Sequence, residues 1–256
     1  LLTKALHGVD EIIHLAYSTV PKTSFEDPVR DILDNLPETV GLFDVANNLG
    51  VSKVVLVSSG GTVYGRSDKL PIKEDDHTNP ISPYGISKLA SEKYAMMFND
   101  LKGLPVVCIR PGNAYGEEQK PFIDQGFIAT AIVSILKQQE VVLFGETGTI
   151  RDYIYITDVA NGVIAVLESG IPGSYYNLGS GVGRSNKEVL DVIYPFARSI
   201  GLEPRIKILP VRQFDVPVNV LDSTKLTKET GWKQIVPFEK GIEKTWNWLY
   251  GEYKGN

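Results

Sequence analysis

The sequence predicts an α/β chain built on a doubly wound parallel sheet, and three observations carry that prediction. Val54-Val55-Leu56-Val57 and Val106-Val107-Cys108-Ile109 are continuous apolar runs, the pattern of strands buried on both faces. Such runs alternate with longer segments of helical period, as parallel strands joined by helical crossovers require. Ser58-Ser59-Gly60-Gly61-Thr62 follows the first run directly. Open α/β sheets bind their ligands at that carboxyl end.

Taken in order, strands are predicted over 11–16, 53–58, 105–110, 141–144 and 175–178. Helices are predicted over 28–48, 83–102, 123–137, 158–168, 186–200 and 238–250. Pro28 and Pro83 stand where a first helical residue needs no N–H donor. Ser185 with Glu188 reads as a capping box, and Asp158 as the N-cap of its helix. After Asn113 turn residues become denser, which predicts a smaller unit built from later segments.

Composition excludes several classes. The chain has 256 residues, 43% of them apolar, enough for a sizeable core. Its formal net charge is -5, so no basic field exists to hold nucleic acid or an anionic membrane surface. No apolar stretch approaches a membrane span, and Leu1-Leu2-Thr3-Lys4 lacks a signal-peptide layout. Cys108 is the single cysteine and lies in a strand, which leaves no internal disulfide and makes the cytosol the natural compartment. His7, His14 and His77 are scattered without ligand spacing, so no metal is expected.

Chemistry concentrates in Ser82-Pro83-Tyr84-Gly85-Ile86-Ser87-Lys88. Tyr84 and Lys88, four residues apart, share a helix face, and an ammonium near a phenol favours the phenolate and thus proton transfer. Alone the spacing is weak, since Tyr-x-x-x-Lys arises by chance in surface helices. Its place one crossover after the Ser58–Gly65 loop is what strengthens it.

Together with His14-Leu15-Ala16, Asn35, Arg110-Pro111-Gly112-Asn113, Arg151-Asp152-Tyr153 and Tyr176-Asn177-Leu178-Gly179, these motifs resemble the extended short-chain dehydrogenase/reductase family. Within it they are most similar to the nucleotide-sugar epimerases. The resemblance spans nearly the whole chain and implies a Rossmann-type sheet, NAD as cofactor, a nucleotide-sugar substrate and a homodimer formed by the helices around Asn35 and Tyr94. It further implies that Tyr84 takes a proton from the sugar C4 hydroxyl while Lys88 holds the nicotinamide ribose and lowers the Tyr84 pKa. Leu15, Ala16, Ser58, Tyr84, Lys88 and Pro111 would border the nicotinamide half of the cofactor. Asn113, Val142, Phe144, Arg151, Arg212 and Asp215 would hold the nucleotide diphosphate, and Asn219 would fall near the position that limits sugar size. Ordinary readings stand beside these: Leu15, Ala16, Val142 and Phe144 satisfy core packing, Arg110 reads as structural, and Arg151-Asp152 as a local ion pair. Tyr17, Tyr64, Tyr94 and Phe98 read first as core fillers.

The resemblance also discriminates among reactions. Gly60 stands where many relatives carry a hydroxyl beside the tyrosine, leaving Ser59, then Thr62, as the catalytic hydroxyl. Dehydrating relatives carry an Asp-Glu pair at Gly61-Thr62, and decarboxylating ones a glutamate at Thr62; neither is present. What remains is 4-epimerisation through a 4-keto sugar, with dehydration, reduction or an inactive family member as alternatives. The implied division is 1–115 with 152–180 for the cofactor, and 116–151 with 181–256 for the substrate. The chain opens in what reads as the helix before a fourth strand, so about 50 to 60 residues carrying the glycine-rich turn are expected in front. Gly179-Ser180-Gly181-Val182-Gly183-Arg184 mimics that turn, but arginine replaces its last glycine.

Overall fold

The computed structural model describes residues 2–123, 126–212 and 215–253. Helix α1 (Leu2–Ala5) precedes strand β1 (Glu11–His14), followed by α2 (Pro21–Glu26), α3 (Pro28–Asn48) and β2 (Lys53–Val57). Then come α4 (Pro83–Met97), β3 (Val106–Pro111), β4 (Asn113–Tyr115), α5 (Phe127–Leu136), β5 (Glu140–Phe144) and β6 (Ile150–Tyr155). The chain continues through α6 (Ile156–Ser169), β7 (Tyr175–Leu178), β8 (Gly183–Ser185) and α7 (Asn186–Ser199). It closes with β9 (Arg205–Leu209), β10 (Val218–Asn219), α8 (Thr224–Thr230) and α9 (Phe238–Tyr253).

The central sheet has the order β1-β2-β3-β7, all parallel. Side-chain alternation along its strands explains why both faces are covered. Val54, Leu56, Val106 and Cys108 point to one side and pack with Phe43 of α3 and Ala95 of α4. Val55, Val107 and Ile109 point to the other, against Val163 and Val166 of α6 and Leu226 of α8. A second sheet places β6 between β4 and β10, with β8 antiparallel to β6, and β5 pairs with β9. Tyr115, Tyr153 and Tyr155 of this second sheet join α5, α7 and α9 in one large apolar cluster.

Helix starts follow side-chain chemistry. Asp27 accepts from the Arg30 N–H ahead of α3, Ser82 from Gly85 ahead of α4, and Ser185 with Glu188 forms the predicted capping box on α7. The predicted helix 83–102 holds throughout, with its last turn widened to a π-helical Phe98–Lys102 that ends on Gly103 at φ +77°. Predicted helix 123–137 appears as α5; positions 124 and 125 lie outside the described residues. Two local expectations fail. The first strand stops at His14, which leaves Leu15, 65% exposed, and Ala16 in irregular chain rather than in core packing. Asp158 is no N-cap, because α6 starts at Ile156 and the cap is Tyr155. Its carboxylate instead accepts the N–H groups of Ile235 and Val236, tying α6 to the segment before α9.

Candidate active site

The loop after β2 continues the sheet for two more bonds before it turns. Ser58 N–H donates to Ile109 at 2.8 Å and Gly60 N–H to Pro111 at 2.8 Å. Val63 N–H then returns to the Ser59 carbonyl, closing a tight helical turn over 59–63. Gly60 is obligatory here. A Cβ at that position would sit 2.7 Å from the Arg110 carbonyl and 2.5 Å from Leu221 Cδ1. A side chain at this place therefore has no room, and the hydroxyls nearest it in the loop are those of Ser59 and Thr62. Gly60→Ala is expected to cost about 1–3 kcal/mol by overpacking, read as a lower midpoint in urea.

Helix α4 docks its first turn on this loop. A Cβ on Gly85 would come within 3.1 Å of the Thr62 carbonyl, so glycine permits the close approach that sets Tyr84 over Ser59. The Ser24 hydroxyl of α2 accepts the Tyr84 N–H at 3.1 Å. The Ser59 side chain lies close enough to the Tyr84 phenol to favour its phenolate, whereas the Thr62 hydroxyl turns to the Ser59 carbonyl at 3.5 Å. Lys88, 5% exposed, donates to the Val57 carbonyl at 3.1 Å, and its ammonium lies 5.8 Å from the Tyr84 ring centroid. Phenol, serine hydroxyl and ammonium thus converge at the carboxyl end of β2.

Electrostatically, burial dominates both groups. It pushes the Tyr84 phenol up to about 12, against the Ser59 side chain that favours the phenolate. Burial also brings Lys88 down to about 8, with Glu92 and Asp31 pulling the other way. In the protein alone burial sets the Tyr84 phenol, and Lys88 is not among the groups that shift it. Lys88 sheds its proton as pH rises through about 8, so any role for its charge fades above that pH.

His14 lies alongside, its ring bonded to Thr39 Oγ1 at 3.0 Å. Thr39 donates its own proton to the Asn35 carbonyl, so His14 Nε2 is the donor to Thr39. Burial, then Lys88, lowers its pKa to about 4. An unfolded histidine titrates near 6.5, so the unfolded state binds the extra proton first and stability falls as pH drops from 6.5 toward 4. The loss amounts to about 3 kcal/mol at most. Replacing His14 with Gln is expected to flatten that part of a melting-temperature profile.

The candidate nucleotide anchors also gather. The Arg212 guanidinium stacks 4.0 Å from the Phe144 ring centroid and forms a fork-like pair with Asp215 at 2.8 and 3.1 Å. Arg151, lowered in pKa chiefly by burial, feels both partners of that pair. Val142, 37% exposed, shares the β5 face with Phe144. Arg151 and Asp152 are not a local ion pair. Arg151 donates to the Ile150 carbonyl, while Asp152 accepts from Ser180 N–H and hydroxyl, Gly181 N–H and Leu221 N–H. The glycine-rich decoy loop thus already wraps an anion, the carboxylate of Asp152. Asn113 reaches the loop after β2, its Oδ1 3.6 Å from where a Gly61 Cβ would stand. Asn219 is fully buried, its amide N–H donating to the Gly60 carbonyl at 3.0 Å while its Oδ1 is buried with no partner.

Arg110 is structural, as read: 2% exposed, it pairs with the fully buried Glu92 and donates to Tyr64. Tyr17 is the residue that sequence reasoning misplaced. Its ring lies 3.9 Å under the Lys88 ammonium and 5.1 Å from the Tyr84 ring, and no pattern in the sequence marks it except its nearness to His14-Leu15-Ala16.

The Ser58 hydroxyl is buried at the strand tip with no partner. A polar group so placed calls for an acceptor or donor from a ligand, and with Lys88 and Pro111 it fits the nicotinamide end of a dinucleotide. A parallel sheet with helices on both faces and a Ser-Tyr-Lys constellation at its carboxyl end defines a nucleotide-cofactor enzyme acting on an alcohol or ketone. Residues 1–179 match the NAD dependent epimerase/dehydratase family. The chain belongs to that family, and NAD is its cofactor. It is 35% identical over 234 residues to a UDP-glucose 4-epimerase of Mycolicibacterium smegmatis, covering 91% of this chain and 74% of that one. A putative UDP-glucose 4-epimerase of Methanocaldococcus jannaschii is 33% identical over 241 residues, covering 94% and 77%. Among solved structures, the UDP-glucose 4-epimerase of Thermus thermophilus in complex with NAD superposes with a TM-score of 0.91 at 33% identity, covering 98% of this chain and 81% of that one.

Proposed function

We propose that the protein catalyses NAD-dependent 4-epimerisation of a nucleotide sugar, a UDP-hexose, through a 4-keto intermediate. The observation that carries this reading is the convergence of Ser59 of the loop after β2 with Tyr84 and Lys88 of α4, where positions 61 and 62 hold no carboxylate. When bound, NAD supplies the hydride acceptor and donor for C4 of the sugar. Tyr84 accepts the C4 hydroxyl proton and returns it after the keto sugar has turned over. Ser59 hydrogen-bonds the same oxygen, with Thr62 shaping the turn that presents Ser59. Lys88 holds the nicotinamide ribose, and its positive charge with that of the oxidised ring draws the Tyr84 phenol down from its buried value. Leu15, Ala16, Ser58 and Pro111 border that end of the cofactor.

Arg151 and the Arg212–Asp215 pair hold the diphosphate and ribose, Phe144 and Val142 border the base, and Asn113 lies between sugar and phosphates. Tight holding of the nucleotide with loose holding of the sugar is what epimerisation needs. The bacterial and archaeal 4-epimerases named above support this reading, as does Thermotoga maritima UDP-glucose 4-epimerase with UDP-glucose, TM-score 0.92 at 30% identity. Dehydration would need a general acid and base where Gly61 and Thr62 stand. The cofactor part would comprise 1–115 and 152–180, the substrate part 116–151 and 181–256.

Val29, Ile32 and Leu33 of α3 with Ile86 and Tyr94 of α4 form an exposed apolar face, offered here as the pairing surface of a homodimer in the cytosol. A light-scattering mass of one chain would refute the dimer. Incubating the full-length protein with UDP-glucose, UDP-galactose and their N-acetyl forms, then separating C4 epimers, tests the reaction. Equilibration without net NADH formation is expected, and water loss or net cofactor consumption would overturn it.

A further inference from the structure

The geometry points to Tyr17, Ser87 and Asp31 as positioning residues for Lys88, a buried brace in which the carboxylate fixes the serine, the serine fixes the tyrosine, and the tyrosine ring carries the ammonium. The proposal rests on the functional reading above and assigns no contact with substrate to any of the three.

Each link is directional. Asp31, fully buried on α3, can as a carboxylate only accept. Ser87, 2% exposed and one turn beyond Tyr84 on α4, donates to Asp31 Oδ2 at 2.5 Å. A serine hydroxyl has a single proton; spent on Asp31 rather than on the Pro83 and Tyr84 carbonyls, each 3.1 Å away, it leaves Ser87 to accept from Tyr17, whose hydroxyl lies 2.5 Å away. Burial holds the Tyr17 phenol far above its ordinary pKa, consistent with a permanent donor. The second oxygen of Asp31 is taken by the Thr19 hydroxyl, and Asn35 ties Thr19 and the Asp31 carbonyl together with Ser18. Asp31 therefore has no freedom to turn.

The anchored ring serves Lys88. Its face lies 3.9 Å from the ammonium, inside cation–π range, and its edge meets the Tyr84 ring at 5.1 Å and 76°. The remaining groups around the ammonium are the Val57 carbonyl, which accepts from it, neutral His14, and Glu92 and Asp31, which favour its charged form. Of these groups the ring and the carbonyl touch the ammonium directly. Without the brace a four-carbon side chain would be free to leave the Tyr84 side of the cleft.

Steady-state kinetics and chemical labelling test the brace on the full-length protein. Tyr17→Leu, which removes the ring, is expected to lower kcat about tenfold with KM within about twofold, the size of a desolvated cation–π contact. Tyr17→Phe keeps the ring but loses its pin, and is expected to fall about threefold. Ser87→Ala breaks the same link, so its loss should match Tyr17→Phe and the double variant should lose no more than either. Equal losses for Phe and Leu, or additive losses in the double variant, would overturn the brace. Should Tyr17→Leu fail to fold, the Tyr17→Phe and Ser87→Ala pair decides alone.

Acetylation of Lys88 by acetic anhydride, followed by peptide mass spectrometry without cofactor, gives a readout separate from turnover. A several-fold faster reaction in Tyr17→Phe and Ser87→Ala at unchanged melting temperature is expected, and no change refutes the brace. If the unaltered protein epimerises nothing, or Tyr84→Phe is as active as it, the functional reading fails instead, and the labelling result still stands.

Discussion

Tyr84→Phe is expected to lower kcat for epimerisation by about a thousandfold, the scale of a lost general acid–base group. The change deletes one oxygen and keeps the ring that packs on Tyr17 at 5.1 Å, so the melting temperature should hold within a few degrees. KM should move little, because the phenol acts on the proton in flight and Arg151 with Arg212 would hold the nucleotide. The same residue offers a spectroscopic check. The phenol is pushed up to about 12 by burial in the protein alone. Adding oxidised NAD brings a positive ring beside it, so the phenolate absorbance near Tyr84 should emerge at lower pH, and Tyr84→Phe should abolish that change. An active Tyr84→Phe would remove the proposed mechanism altogether.

Glu92→Leu is expected to destabilise the fold by about 3–5 kcal/mol. The Glu92–Arg110 pair is almost sealed, at 0% and 2% side-chain exposure, with two hydrogen bonds of 2.9 and 2.7 Å. Removing the carboxylate strands a guanidinium in the core. The cost is that of an uncompensated buried charge rather than of a lost contact. Replacing both partners, Glu92→Leu with Arg110→Met, should recover part of the loss. Recovery stays incomplete because Arg110 also donates to the Tyr64 hydroxyl and the Glu74 carbonyl. Urea midpoints of the two singles and the double close the cycle. A loss below about 1 kcal/mol for Glu92→Leu would show that water reaches the pair.

Much of the fold was legible because long, strongly patterned segments carry their own evidence. The Lys53–Val57 strand, the α3 and α4 helices and the capping box on α7 need only period and cap chemistry. The short elements escaped for identifiable reasons. Strand β6 holds Arg151 and Asp152, charges that argue against a buried strand until Asp152 is seen to collect the N–H groups of the 180–181 loop. Strand β9, Arg205–Leu209, alternates charged and apolar residues, and that period of two could have revealed it. Strand β10 is two residues long and exists only because β6 offers a partner.

The site divides along the same line. Spacing alone places Tyr84 and Lys88 on one helix face, and the loop after β2 at the binding end of the sheet, because both follow from local geometry. Only the tertiary structure put the Ser59 side chain beside the Tyr84 phenol, excluded a side chain at Gly60 through Arg110 and Leu221, and turned Tyr17 from a core filler into the shelf under Lys88. It also buried the Tyr84 phenol and so raised its pKa in the protein alone, since desolvation depends on how many neighbours close over a group. Periodicity and capping are properties of neighbours in the chain; exclusion, burial and charge are set by residues tens of positions away, which pattern reading cannot sum.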